Sequence, residues 1–192
     1  MPVLDLAALR AASGPVVDRF AAAEPQRWDR AAILLELVGE LGSLAHCVQH
    51  WDGFKSGGLD RSKLADECSD VLFVAFRLAR EDNVELPASL GVRKAPSARA
   101  TPIVLAMCAS AACLQQSANA SALLSLIEQL ASLCDLCELD LATSYQLEMR
   151  IALQYFAACG ARWPKPQPLR HPFATLRLWR TSRERGRQKT PS

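Results

Sequence analysis

"LADECSDVLFVAFRLA" (residues 64–79) sets Asp66, Glu67 and Asp70 into the opening turns of a run that is otherwise mostly apolar. The apolar spacing is helical, and Glu67 and Asp70, three residues apart, share a helix face beside Val71 and Val74. Carboxylates next to a core resist desolvation, so they need water, a proton or a cation. The stretch therefore decides both fold and chemistry.

Upstream, "RAAILLELVGELGSLAHCVQHW" (30–51) places Ile33, Leu37, Leu41, Leu44, Ala45 and Val48 on one stripe at about 100° per residue. Glu36, Glu40, Ser43 and Cys47 fall within about 60° of one another along its edge. Asp29 is a suitable cap for this helix. Gly39 and Gly42 each cost about 1 kcal/mol inside it, which suggests close approach of a helix or a substrate. "DGFKSGGLD" (52–60) reads as a Gly-rich loop, with Asp60 or Ser62 capping the next helix, which runs to about Asp82. Nearer the N-terminus, residues 3–12 and 16–23 read as two short helices separated by Ser13, Gly14 and Pro15.

After "LPASLGVRKAPSARATP" (86–102) the chain begins again, with helices from about Ile103 to Gln116 and from about Leu123 to Cys137. "RLAREDNVELPASL" and "SLCDLCELDLATSY" share a pattern of apolar helix end, acidic turn, then Val or Leu, acid, Leu. This suggests an internally duplicated pair of helical units, a pseudo-dimer. In the second copy the places of Glu40, Glu67 and Asp70 fall near Ala111, Ala122 and Ser125. The division is 1–95 for the acid-bearing unit, 96–160 for the second repeat and 161–192 for a basic, Pro-containing tail.

With 192 residues the chain suits one domain or two small ones sharing a core. Ala and Leu abound while β-branched and aromatic residues are sparse, so the fold is expected to be all-α. The net charge of +2 hides an acidic body and a basic end. Asp5 and Arg10 argue against a signal peptide, and no stretch reaches the roughly 18 uncharged apolar residues of a membrane span. A soluble, cytoplasmic protein is expected, with nuclear placement open through the tail. The seven cysteines lie mostly in helical patterns and read as reduced core thiols. Cys134 and Cys137 form a CxxC that lacks the further ligands of a zinc site.

Two helices offering Glu36 and Glu40 on one side and Glu67 and Asp70 on the other would suit a hard divalent cation. Mg²⁺ is the simplest choice, since it commonly bridges protein carboxylates to substrate phosphates. Solvation, or pairing with Lys63, Arg77 or Arg80, is the competing reading of the same acids.

"LVGELGSLAHCVQHW" followed by "LADECSDVLFVAFRLAREDNVELP" resembles the MazG-like all-α nucleoside triphosphate pyrophosphohydrolases, and most closely their dCTP pyrophosphatase branch. The resemblance covers roughly residues 17 to 90. The family carries ExxE on one helix and ExxD on the next, and ExxD stands here as Glu67-Cys-Ser-Asp70. The implied reaction converts a (d)NTP and water into a (d)NMP and pyrophosphate, with dCTP or a modified pyrimidine nucleotide as substrate. Glu40, Glu67 and Asp70 would be the catalytic acids holding Mg²⁺, helped by Glu36. The first motif is incomplete: with Glu40 as its first acid the second falls at Ser43, and with Glu40 as its second acid the first falls at Leu37.

The resemblance also implies cations that grip the triphosphate, for which Arg93 and Lys94 are nearest, although Pro96 interrupts that helix and no Asn matches. In the second repeat "YQLEMRIALQYF" places Glu148 and Ala152 where the family has Lys and Asn. Trp28 would hold the base, with Phe20 and Trp51 behind it; packing of Trp28 on the bundle is the alternative. Ser43 would face substrate. Such enzymes pair their units, so a homo-oligomer, a dimer in the simplest case, is implied. His46 and His50, four apart, lack a third ligand and are set aside as a transition-metal pair. The tail would be the sole nucleic-acid contact, and a solvated tail is the simpler expectation.

Overall fold

Helix boundaries follow the capping signals. Asp29, Asp60 and Asn119 each accept a hydrogen bond from the backbone amide three residues on, at Ala32, Lys63 and Ala122, and so open three of the helices. The structure is a computed structural model and describes residues 3–159 apart from 59 and 96; of Cys159 it describes the backbone alone. The expected basic tail, 161–192, lies outside the described residues. Helices α1 (Leu6–Ala23), α2 (Arg30–Trp51), α3 (Arg61–Glu81), α4 (Thr101–Gln116), α5 (Ala120–Leu136) and α6 (Leu141–Cys159) make an all-α fold. One small ribbon accompanies them, β1 (Val3–Asp5) and β2 (Ser89–Gly91), antiparallel with Leu4 opposite Leu90.

The N-terminal segment corrects the reading of two short helices. Residues 3–5 are extended, and α1 runs without interruption through Gly14 and Pro15. Proline inside a helix removes one backbone hydrogen bond and costs about 3 kcal/mol. Burial outweighs it here, because Leu6, Leu9, Val16, Val17 and Phe20 form one continuous stripe that the core requires. Phe20 packs against Phe73 and Phe156, with ring centroids 5.7 and 5.0 Å away.

α3 is the central helix. Residues 67–79 along it are all buried, and it contacts α1, α2, α5 and α6. α2 packs on α3 and α4, α4 on α5, and one hydrophobic core runs through all six helices. Arg30 fastens α2 at its start, its Nε donating to Asp82 Oδ1 at 2.7 Å and its Nη2 to the Leu114 carbonyl. α2 is also long and apolar enough, by length and composition, to cross a membrane, with mean hydropathy 1.6. It carries Glu36 and Glu40 and packs one side on α3 and α4.

Two correspondences relate α2–α3 to α4–α5. Buried Ile33, Leu34, Leu37, Leu41 and Leu44 of α2 repeat as Ile103, Val104, Met107, Ala111 and Leu114 of α4. At their other partners' ends, α3 and α5 stop in the same way. Asp82 and Cys137 donate to the carbonyls of Leu78 and Leu133, Asn83 and Glu138 both adopt φ 52°, and Val84 and Leu139 donate to Ala79 and Cys134 at 2.8 Å. This is a Schellman end with a left-handed residue, in both places occupied by a non-glycine.

Candidate functional site

α2 and α3 bring Glu40, Glu67 and Asp70 together. Each is 1–2 % exposed, and ligand oxygens from the three lie within 4.8 Å of one another. The helical repeat explains this: Glu67 and Asp70 are one turn apart on the face of α3 that meets α2, and Glu40 stands among the buried residues of α2. Ionised carboxylates offer acceptors only, so three side by side cannot satisfy one another. Neutralisation has to come from protons or from a cation. A hard, oxygen-only donor set suits Mg²⁺ or a similar divalent ion.

Two of the cations considered as alternative partners pair elsewhere. Arg77 Nη2 donates to Glu24 Oε1 at 2.6 Å, and Arg80 pairs with Asp18 at 2.8 Å. Lys63 is exposed, one turn before Glu67. Asp66, beside the cluster in sequence, is half-buried.

The first-helix registers also resolve in space. Leu37 is in the core and Ser43 is exposed, while Glu36 is half-buried one turn before Glu40 and is not among the clustered acids. Glu40 is thus the acid of α2 that meets α3. Gly39 and Gly42 would place a Cβ in open space, so close helix approach does not explain them.

Trp28 is half-buried against the core and carries the Arg77 guanidinium over its ring at 4.6 Å. Its packing role is therefore visible, and Phe20 is wholly a core residue. Trp51 packs partly on the core with Arg61 6.0 Å above its ring. Arg93 and Lys94 follow β2 and are exposed, and no described contact joins them to the three acids. Glu148 and Ala152 of α6 are buried.

In α4–α5 the matching place is neutral. Ser110 Oγ lies 3.5 Å from Ser125 Oγ and 3.3 Å from Gln129 Oε1, and Gln129 Nε2 donates to Ser125 at 3.1 Å. The burial pattern sets Ser110 opposite Glu40, one residue from the Ala111 expected from sequence.

Sequence reading missed Asp52, which follows α2 and closes the start of α4 from a distance. It accepts from the backbone amides of Ala100 and Thr101, at 3.0 and 2.8 Å, and from the Thr101 hydroxyl at 2.5 Å. Burial opposes its ionised form, but these bonds and Arg99 outweigh it and hold the carboxyl below its ordinary value. α4 lacks a side-chain cap of its own, and that gap was the signal available in the sequence.

Cys47, Cys68, Cys134 and Cys137 are buried free thiols, as expected, whereas Cys108 and Cys113 of α4 are exposed, on the face of that helix turned from the core. A hydrogen bond with Cys134, then burial, raises Cys68 well above the ordinary range, and burial pushes Cys137 up to about 12. Cys68 and Cys137 stay protonated, which makes these two inert packing groups. Compared with known proteins, the chain matches no family model, no curated protein and no solved structure.

Proposed function

We propose that the chain is a Mg²⁺-dependent, MazG-like nucleoside triphosphate pyrophosphohydrolase, cleaving between the α and β phosphates to release a (d)NMP and pyrophosphate. dCTP or a modified pyrimidine nucleotide is the favoured substrate, which makes nucleotide-pool sanitation the corresponding role. The observation that carries this reading is the burial of Glu40, Glu67 and Asp70 within 4.8 Å of one another, between the two helices that bear the resemblance. Those three acids would hold the ion, with Glu36 near enough in sequence to assist. When bound, the ion supplies positive charge to the phosphates and lowers the pKa of an attached water. The packed helices around the acids fix their separation and keep bulk water from screening them. Trp28 and Trp51, half-buried at the borders of α2, are the candidates for contact with the base.

A specific observation favours a second reading. The first helix contributes one buried acid to the cluster instead of two, with Leu37 in the core and Ser43 outside. A degenerate relative that binds nucleotide or a protein partner without turnover is consistent with that loss. Pyrophosphate release in the Asp70→Asn variant separates the two: the hydrolase reading expects turnover in the parent chain and its loss in the variant, with helicity unchanged.

The equivalent packing of α2–α3 and α4–α5 supports the duplicated, pseudo-dimeric origin. Leu35 and Leu105, at matching places on two helices in contact, are 74 % and 64 % exposed, and they support further association into a homodimer. The cytoplasm is the compartment this reading implies.

A further inference from the structure

The loop after α2 turns back on the helix it leaves. The amides of Phe54 and Lys55 both donate to the Gln49 carbonyl, at 2.8 and 3.2 Å, which sets the half-buried Lys55 against the end of α2. There His46 and His50 stand one turn apart with ring centroids 5.3 Å from each other, and Gly57 of the same loop lies against His50, where a Cβ would come within 3.8 Å of Cε1. On α3, Lys63 occupies the turn before Glu67 on the same face. The titration of His46 registers the whole neighbourhood: Lys55 first, then burial, Lys63 and His50 hold it below the ordinary imidazole value, and Glu67 pulls it upward. Lys63 therefore stands beside Glu67 at one end of the acidic cluster, while Lys55 and the imidazole pair lie at the neighbouring end of α2.

Three ionised carboxylates and one divalent ion sum to a net negative charge, and a triphosphate adds several more. Such a ligand needs cations next to the ion. Arg93 and Lys94 have no described contact with the cluster, whereas Lys63 is one turn from Glu67, and His46 lies close enough to Lys55, Lys63 and Glu67 to feel the charge of each.

Resting on the hydrolase reading and deepening it, we propose that Lys55 and Lys63, with His46 between them and the acids, form the seat for the β- and γ-phosphates of the substrate. The loop between α2 and α3, through Lys55, and the first turn of α3, through Lys63, would thus supply the phosphate grip.

Calorimetric titration of the full chain with inorganic tripolyphosphate, in Mg²⁺ at constant ionic strength, tests the seat without a base or a turnover step. The parent chain is expected to bind, the Lys55→Gln/Lys63→Gln variant to bind about tenfold or more weakly, and Lys55→Arg/Lys63→Arg to stay within about threefold. Thermal melts of each variant by circular dichroism confirm folding. On nucleotide, the Gln variant should raise KM and leave kcat within about threefold. Equal binding by the parent and the folded Gln variant, or no binding by the parent, overturns the seat. Tripolyphosphate binding through these lysines without hydrolysis of any nucleotide would keep the seat and remove the hydrolase reading. Hydrolysis with KM unchanged in the Gln variant would do the reverse.

Discussion

Between α2 and α3 the polar groups at the packed interface are Glu40, Glu67 and Asp70; between α4 and α5 they are Ser110, Ser125 and Gln129. The apolar frame around them is nearly the same, down to paired left-handed residues at Asn83 and Glu138. What differs is whether the cluster can satisfy itself. Hydroxyl and amide groups both donate and accept, so the second cluster closes its own hydrogen bonds. Three carboxylates have no donors when ionised and call for charge from outside. The comparison separates a cluster that closes on itself from one that needs protons or a cation. The loops differ as well: residues 117–119 supply the cap of α5 through Asn119, whereas residues 52–60 cap α4 through Asp52 and turn back on the end of α2.

The strongest way to break this contrast is to make the first pair chemically like the second. Glu40→Ser with Asp70→Ser should abolish divalent-cation binding and lower pyrophosphate release by about 10³-fold or more, given that a bound ion supplies several kcal/mol. Without added metal the same variant should melt higher than the parent, because it removes carboxylate repulsion. Calorimetry and thermal melts read both.

Next is the buried ion pair of Arg77 and Glu24, whose side chains are 10 % and 1 % exposed. Ser132, at the matching place in α5, makes only a local bond to the Glu128 carbonyl. Arg77→Met should cost about 3 kcal/mol in urea denaturation by leaving Glu24 buried without its guanidinium. A loss below about 1 kcal/mol would show the pair to be surface-like.

Asp52 gives a smaller effect. Asp52→Ala should cost about 1–2 kcal/mol, as lost helix caps do, with α4 fraying first in hydrogen exchange. Its carboxyl is held below 3.8 in the folded chain, so its contribution is complete above that pH and fades as pH falls through the lower folded value. An acid titration of stability should lose that step in the variant.

The smallest effect compares the helix ends. Asn83→Gly and Glu138→Gly should each stabilise by a few tenths to about 1 kcal/mol, since glycine adopts φ 52° without steric cost. Similar gains at both sites would sharpen the equivalence of α3 and α5.

Much of the frame was legible because it is written in local chemistry. Asp29 and Asp60 cap where expected, and the 3.6-residue period of α2 and α3 puts Glu40 opposite Glu67 and Asp70. Where sequence reading failed, distant contacts decided the outcome. Pro15 reads as a breaker, yet the buried stripe from Leu6 to Phe20 carries α1 through it. The ribbon of β1 and β2 joins residues 3–5 to 89–91, a pairing that three residues of alternation on each side cannot announce. Asp52 looks like any loop acid until α4 arrives beside it, and Phe20 looks like a base-stacking ring until Phe73 and Phe156 enclose it. Trp28, half-buried, carries Arg77 from a helix far along the chain over its ring, a contact that its sequence neighbours do not announce.

The most direct test of the proposed Mg²⁺ centre is product analysis of a nucleoside triphosphate panel, including dCTP, incubated with the full chain in Mg²⁺ and in excess chelator. The account predicts equal amounts of monophosphate and pyrophosphate from at least one nucleotide, in Mg²⁺ alone, and none with Glu67→Gln. No products from any nucleotide, release of single phosphate instead of pyrophosphate, or undiminished turnover in chelator would contradict it.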